Sequence, residues 1–198
     1  MKKGWWMGLL VVFGGAAILF LALGGVYNSL VSSEEKVSEA WAQVENVYQR
    51  RLDLIPNLVE TVKGYAEHER ETLEAVVEAR SKITETKFTP EIIKDPQALA
   101  RFEEAQQGLT SALSRLLVLV ERYPDLKANQ NFLALQSQLE GTENRITVER
   151  KRFNEAARNF NTKIRVFPHT VVARFMGFSR KAYFASDEAA RTAPTVQF

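Results

Sequence analysis

Between Trp41 and Ile83, large apolar residues recur at alternating steps of four and three, which is the spacing of coiled coils and helical bundles. This spacing predicts one apolar stripe along a long helix, and the stripe must be covered. Pro56 lies inside the pattern, but the spacing resumes in phase at Val59. The sequence therefore predicts one helix over residues 33–86, kinked at the proline. The members of the stripe are Trp41, Tyr48, Leu52, Ile55, Val59, Val62, Ala66, Leu73, Val76 and Ile83.

Two further long helices follow, each with local start or stop signals. Asp95 followed by Pro96 predicts a helix start, with an N-cap acceptor and then proline at the first helical position, and Pro124 ends that helix. A third stripe starts at residues 128–130 and ends before Pro168, and a short helix over residues 169–176 is closed by Gly177. The residues that we predict to lie in or beside helix interfaces are Leu52, Val59, Val62, Leu73, Leu113, Leu116, Leu139, Ile146 and Phe153.

Six polar residues interrupt or border the stripes of the first and third helices. A buried charged site is one interpretation of them. A bundle edge, or pairing with a polar group on another helix, is the more ordinary one, and such residues fix the register of a bundle at some cost in stability. These polar bundle positions are Glu69, Arg80, Glu143, Arg150, Asn154 and Asn161.

The N-terminal part of the chain has no charged residue between Lys3 and Glu34. As a helix, the run from Trp6 to Tyr27 is about 32 Å long, close to the roughly 30 Å of a hydrocarbon core, and it has aromatic residues at both ends. The sequence therefore predicts a single transmembrane helix. A signal peptide cleaved after Ala22-x-Gly24 is the alternative, but the apolar run continues past that site.

Basic residues set the expected orientation of this span. Lys2 and Lys3 precede it, and Lys36 alone follows it closely, so the N-terminus is expected in the cytoplasm and the bundle outside, at the inner membrane. Small residues also recur along the span and would let two helices approach closely, although such residues are common in membrane helices generally. The predicted transmembrane packing positions are Gly4, Gly8, Gly15, Ala22, Gly25 and Ser29.

Composition and motifs narrow the classes of function. Cysteine is absent, which excludes disulfides, thiolate metal sites and a cysteine nucleophile. The formal net charge of +2 gives the whole chain no strong field for nucleic acid. Because no phosphate-binding, zinc-protease, hydrolase or calcium-loop motif occurs, we predict no catalytic residue, no cofactor and no metal. Basic clusters such as Arg50–Arg51 are expected to be solvated.

A set of short motifs runs from about residue 27 to the C-terminus. They are Arg51-x-Asp53-Leu54-Ile55-Pro56-Asn57-Leu58-Val59, Gly64-Tyr65-Ala66-x-His68-Glu69, Tyr123-Pro124-Asp125-Leu126-Lys127-Ala128, Glu143-Asn144-Arg145-Ile146, Phe160-Asn161 through Phe167-Pro168, Gly177-Phe178, Tyr183-Phe184 and Ala193-Pro194-x-Val196-x-Phe198. In these motifs the chain resembles the LemA family, with Phe160 where the family often has tyrosine. The resemblance implies a bacterial single-pass membrane protein with an antiparallel helical bundle and no established enzymatic activity. Relatives associated with membrane organisation, including magnetosome formation, imply a scaffold role by analogy.

We therefore predict an all-α protein, with an N-terminal transmembrane helix followed by an antiparallel bundle of three long helices plus a short C-terminal helix. Residues 1–31 form a short N-terminal segment and the span, residues 32–185 the bundle, and residues 186–198 a C-terminal tail.

The leading functional hypothesis is a membrane-anchored, self-associating scaffold or protein-interaction module without catalytic activity. Its expected partners are the lipid bilayer, further copies of the chain and other membrane proteins, but not nucleic acid. The alternative is a membrane-anchored sensor or adaptor that binds a small ligand or peptide between helices. A buried pocket lined by Glu69, Arg80, Glu143 and Arg150 would favour the alternative, and a dry core with these charges on its rim would favour the scaffold.

The predicted helix lengths leave one surface uncovered. The first soluble helix would be roughly 80 Å long and the second only roughly 42 Å, so the second turns back before reaching the membrane. An uncovered apolar stripe on an anchored protein usually marks a partner surface, and anchoring raises the local concentration of identical chains. The predicted oligomer interface is Trp41, Val44, Tyr48, Leu52 and Ile55. The alternative is a turn between the second and third helices that lies closer to the membrane, so that the stripe is covered within one chain.

Overall fold

The computed structural model describes residues 2–66, 68–85 and 90–185, and within these ranges every regular element is a helix. The predicted all-α class is thereby confirmed. The predicted tail, residues 186–198, lies outside the described residues. The elements are α1 (Lys2–Lys63), α2 (Arg70–Glu85), a 3-10 turn (Pro90–Lys94), α3 (Pro96–Val120), α4 (Pro124–Lys127), α5 (Gln130–Lys163) and α6 (His169–Met176).

Helix α1 joins the apolar N-terminal segment to the bundle without a break. Its 62 residues give a length of about 93 Å. Large apolar side chains in its first part, such as Phe13, are exposed, whereas one face is buried from Leu30 onward. By length and composition α1 can cross a membrane. The span and the bundle therefore share one helix.

The chain reverses after α1, so the predicted single helix over residues 33–86 is wrong. The N–H groups of Tyr65 and Ala66 donate to the carbonyl of Val62 at 3.0 and 2.9 Å, closing a turn. Helix α2 then returns along α1, because Nε of Arg80 donates to the carbonyl of Leu52 at 3.2 Å. The spacing could not show this reversal, since both arms of a helical hairpin present an apolar stripe to the same core.

The contact of Arg80 explains how α1 accommodates Pro56. Proline has no N–H, so the carbonyl four residues earlier, that of Leu52, lacks its helical donor. Arg80 supplies the missing donor from α2. Of the two ordinary interpretations of Arg80, pairing with a group on another helix is the one observed.

Arg80→Ala should lower the free energy of unfolding by about 1–2 kcal/mol, because the carbonyl of Leu52 loses its donor. In a Pro56→Ala background, where residue 56 supplies an N–H, the same substitution should cost much less. Denaturant unfolding of the detergent-solubilised full chain, followed by circular dichroism, measures both. If the effects of Arg80→Ala and Pro56→Ala were additive, Arg80 would not be replacing the N–H that Pro56 lacks.

Helices α3 and α5 complete the bundle. At the end of the bundle far from the apolar segment, named here the distal end, Nδ2 of Asn129 donates to the hydroxyl of Tyr65 at 2.8 Å. At the end next to that segment, named here the proximal end, Nζ of Lys163 donates to the carbonyl of Ser29 at 2.9 Å. Helix α5 therefore runs antiparallel to α1 from residue 30 to its end. Its 34 residues, about 51 Å, match the roughly 50 Å of α1 from residue 30 to its end. In the distal half, α1, α2, α3 and α5 form an up-down-up-down bundle.

In the proximal half, α2 is replaced by other parts of the chain. The 3-10 turn and the extended residues 178–185, named here the C-terminal segment, occupy its place. The N–H of Ala182 donates to the carbonyl of Ile93 at 2.8 Å and joins these two parts. The short helix α6 precedes the segment and ends at Gly177, whose φ of 77° lies in the left-handed region that favours glycine, as predicted.

The core of the described residues consists of two hydrophobic clusters, one in the proximal half of the bundle and one in the distal half. Eight of the nine residues predicted to lie at helix interfaces are buried, and Val59 packs partly buried against the distal cluster. The N-cap at Asp95 is also confirmed, since its side chain accepts from the N–H of Gln97 at 2.8 Å. These predictions depended on spacing and local signals, which the reversal after α1 does not alter.

The structure removes the basis for the predicted oligomer interface. All five of its residues are buried within one chain, covered by α5, by α3 and by the C-terminal segment. A side chain in the core of one folded chain cannot line a surface between folded subunits. Self-association itself stays a prediction. The buried residues and their exposed fractions are Trp41 1%, Val44 0%, Tyr48 2%, Leu52 3% and Ile55 0%.

Candidate functional site

Two asparagines of α5 hold the backbone of the C-terminal segment. Asn161 is buried; its Nδ2 donates to the carbonyl of Lys181 and its Oδ1 accepts from the N–H of the same residue, both at 2.8 Å. Asn154 makes the same pair of bonds with Phe184, at 3.0 and 2.9 Å. Each side-chain amide thus replaces the hydrogen bonds of a neighbouring β-strand.

The spacing of the two asparagines matches the rise of the segment. They are seven residues apart, which brings both to one face of α5 with a separation of about 10.5 Å along the axis. Lys181 and Phe184 are three residues apart in extended chain, a span of about 10 Å. A helix and an extended segment therefore stay in register over two contacts. Both asparagines were predicted as polar bundle positions, but their partner was not.

The C-terminal segment also completes an aromatic cluster. The ring of Phe184 stacks on Trp41 with centroids 5.9 Å apart and meets Phe153 edge-on at 5.5 Å. Trp41 in turn contacts Phe153 at 5.4 Å and Phe102 at 6.1 Å. Nε1 of Trp41 donates to Oε1 of Glu45 at 2.6 Å, and burial raises the pKa of that carboxyl group. The cluster lies in the proximal core and surrounds Trp41, which belongs to the stripe that the sequence predicts to be uncovered.

Ion pairs hold the middle and the end of the segment. In its middle, Nζ of Lys181 contacts Oε1 of Glu34 at 2.5 Å, and the Lys181 side chain is buried. At its end, Arg150 donates to Glu103 at 2.6 Å and lies 4.7 Å over the ring of Phe184. Arg150 and Glu103 also bond the carbonyl and the N–H of Ala185, each at 3.2 Å. The segment is therefore held by charges as well as by the asparagines.

A polar layer separates the two hydrophobic clusters. Arg51 is only 2% exposed and donates to Glu143 at 2.9 Å, to Thr110 at 3.3 Å and to Gln106. These contacts join α1, α3 and α5 at one height. The Arg51 side chain is buried but that of Glu143 is 51% exposed. Because an ion pair with one solvated partner contributes little net stability, we expect the layer to fix the register of the three helices.

The expectation that Arg50–Arg51 is a solvated cluster is wrong for Arg51. The signal was present in the spacing, since Arg51 follows Tyr48 by three residues and precedes Ile55 by four. It therefore occupies a position of the stripe itself. A cation at such a position must find partners inside the bundle or leave the stripe.

The four charges proposed for a ligand pocket lie at separate heights. Glu69 is at the distal turn, where it accepts from the hydroxyl of Tyr123 at 2.9 Å and from Arg122 at 3.1 Å, and the first contact raises the pKa of the Tyr123 phenol. Arg80, Glu143 and Arg150 each have their own partner described above. The charges therefore do not line one pocket, so the arrangement expected for the ligand-binding alternative is not observed. Within residues 2–66, 68–85 and 90–185, no three His, Asp or Glu side chains gather as metal ligands.

The predicted transmembrane packing positions have different surroundings. A Cβ added at Gly15 or Gly25 would meet no atom within 4 Å, so the chain leaves these positions open. Ser29 is half-buried and its carbonyl binds Lys163 of α5. The surroundings of Gly4 and Gly8 lie outside what the structure describes. Packing of the anchor against a second helix stays a prediction.

These features define a class of protein, an all-helical bundle carried on one helix that can cross a membrane. The LemA family model matches residues 40–198, and the chain belongs to the LemA family. The resemblance in its motifs is thereby confirmed, and the matched range includes the C-terminal segment.

Three relatives show how far the similarity extends. Magnetosome protein MamQ of Magnetospirillum gryphiswaldense is 28% identical over 182 residues, covering 84% of this chain and 67% of the relative. Protein LemA of Metamycoplasma hominis is 25% identical over 174 residues, covering 88% and 75%. Magnetosome protein MamQ 2 of Paramagnetospirillum magneticum is 26% identical over 182 residues, covering 84% and 67%. None of these three names states a reaction.

Proposed function

We propose that this protein is a membrane-anchored, non-catalytic scaffold that self-associates through its anchor. The observation that carries the proposal is the continuity of α1, one helix from the apolar span to the far end of the bundle. Because α5 packs along it and Lys163 bonds Ser29 at the end of the span, the bundle is fixed rigidly to the anchor. Relatives named as magnetosome proteins are consistent with a structural role at a membrane. In this proposal the bundle lies outside the cytoplasm at the inner membrane.

One face of the anchor is suited to a second copy. Gly15 and Ala22 are seven residues apart and share a face, whereas Ala17 lies on nearly the opposite side at 100° per residue. Helix α6 packs on a third side, next to Leu23 and Tyr27. The small-residue face therefore stays open, and small residues allow close approach of two helices in lipid.

Disulfide crosslinking tests this interface, because the chain has no cysteine of its own. We expect Ala22→Cys to give covalent dimers under mild oxidation in native membranes. The matched control is Ala17→Cys, another exposed alanine on the other side of the same helix, which should give several-fold fewer dimers. Equal crosslinking at both positions, or none at Ala22→Cys, would refute self-association through this face.

A second candidate function is an adaptor for an extended peptide. Asn154 and Asn161 bond backbone groups, so their contacts do not depend on the side chains of the bound segment. The same groove would accept a partner's extended segment once residues 178–185 leave it. The adaptor function requires a groove that empties, whereas the scaffold function requires one that stays filled.

A further inference from the structure

Helix α6 lies beside the end of the membrane span. Val172 and Ala173 are buried and join the proximal core. The neighbouring face of α6 and the anchor enclose a cleft of about 420 Å³, lined by apolar residues that include Phe20, Leu23, Tyr27, Val171 and Phe175. Helix α6 is therefore placed between the bundle and the span.

The outer surface of this region is unusually apolar for a surface next to a folded core. Phe175 is 86% exposed, Phe167 81%, Val171 57% and Met176 55%. Four large apolar side chains within ten residues would be costly to leave in water, and such patches mark contact surfaces. No described part of the chain covers them.

Position along α1 identifies what covers this patch. Tyr27 ends the apolar run, and α6 borders the cleft as far down as Phe20, seven residues or about 10 Å below it. Helices that lie in a membrane interface bury their apolar face about 5–10 Å into the boundary of headgroups and acyl chains. The depth of α6 relative to the span agrees with that of an interfacial helix.

The charged residues around α6 also fit a membrane interface. No acidic residue occurs between Glu155 and Asp187, a stretch that carries six basic residues. Arg165, Arg174 and Arg180 are exposed there. Basic side chains at the interface attract the phosphates of anionic lipids, while aromatic and aliphatic side chains enter the acyl region.

We propose that α6 and the turn before it insert into the bilayer leaflet on the bundle's side, so that the protein contacts lipid at a second place besides its span. Phe167, Val171, Phe175 and Met176 contact acyl chains, and an acyl chain fills the cleft between α6 and the anchor. This inference rests on the proposed membrane anchoring by α1. It assigns α6 the role of setting the height and tilt of the bundle on the membrane.

Depth-dependent fluorescence quenching tests the insertion in the full chain, reconstituted into vesicles of phosphatidylcholine and phosphatidylglycerol. Single cysteines replace Phe175 or Val171 and carry an environment-sensitive dye. Val118→Cys is the matched control, because Val118 is also apolar and 72% exposed but lies near the distal end of α3. We expect acyl-brominated lipids to quench the dye at 175 and 171 several-fold more than at 118, and aqueous iodide to show the reverse order.

Phe13→Cys, in the span, separates failure of this inference from failure of the anchor. Lipid quenching at 13 but not at 175 or 171 overturns the insertion of α6 and leaves the anchor in place. Absence of quenching at 13 as well overturns the proposed anchoring. A dye at 175 that is shielded from iodide without lipid quenching means that a protein covers α6, which also overturns the proposal. Unchanged circular dichroism of the labelled chains excludes unfolding as a source of quenching.

Discussion

Replacing Trp41 by alanine should lower the free energy of unfolding by about 3–5 kcal/mol, as expected for truncation of a large aromatic core residue. Trp41 is 1% exposed and contacts three rings on three other parts of the chain, Phe102 of α3, Phe153 of α5 and Phe184 of the C-terminal segment. The substitution removes the residue that those rings share. Because domains are typically stable by only about 5–15 kcal/mol, most of the proximal half should loosen.

Denaturant unfolding of the full chain in detergent, followed by circular dichroism, measures this loss. Trp6→Ala is the matched control, since Trp6 is 69% exposed in the apolar segment and should change little. The result also decides between two interpretations of the stripe. If Trp41 lay between subunits, Trp41→Ala would lower the mass of the detergent-solubilised particle while each chain kept its stability, and the fold described here would be contradicted.

The double substitution Asn154→Ala with Asn161→Leu should release the C-terminal segment. At Asn161 alone, the buried N–H and carbonyl of Lys181 would lose their partners, a cost of about 2–6 kcal/mol for the two groups. Asn154→Ala removes the second pair of bonds at Phe184. With both gone, the segment keeps the bond from Ala182 to Ile93, the contacts of Ala185 with Arg150 and Glu103, the ion pair of Lys181 and the packing of the Phe184 ring.

Limited trypsin digestion measures the release, because Arg180 and Lys181 lie inside the segment. We expect cleavage there to become many-fold faster than in the unsubstituted chain. Asn144→Ala, an exposed asparagine of the same helix, should leave the rate unchanged. An unchanged rate in the double variant would mean that the asparagines do not hold the segment.

A Phe184→Ala variant, which loosens the segment and keeps Asn154 and Asn161, discriminates between the two candidate functions. A fluorescent peptide of residues 178–185 added to this variant reports whether the partly opened groove accepts an extended chain from outside. Saturable binding favours the adaptor. No binding, with a segment that is nevertheless cleaved faster, favours the scaffold.

Several features follow from local sequence because their causes lie within a few residues. The N-cap of α3 requires Asp95 and the two residues after it, and the end of α6 requires a glycine at position 177. The apolar span depends on composition over about twenty residues. The positions that face a core follow from helical spacing, which is why Leu73, Ile146 and Phe153 are buried as predicted.

Which element packs against each buried helix face depends on contacts between residues far apart in the sequence. No local sequence pattern predicts those contacts. Lys181 meets Glu34 across 147 residues of sequence, and Arg51 meets Glu143 across 92. The reversal between α1 and α2 left the apolar phase unchanged, so spacing could not reveal it. Because α2 turns back in the distal half, the proximal part of the α1 stripe is covered by α5, α3 and the C-terminal segment.

The sequence by itself determined the all-helical class, the buried faces, the cap of α3, the end of α6 and the apolar anchor, since propensity, capping and hydrophobic spacing act over one or a few turns. Only the tertiary structure decided that the stripe around Trp41 is a core and not a subunit interface. It also decided that Asn154 and Asn161 hold an extended segment and that the exposed face of α6 lies beside the span. These outcomes depend on which elements meet in three dimensions. An apolar stripe on one helix can pack against several different elements, so its spacing alone does not identify the element that covers it.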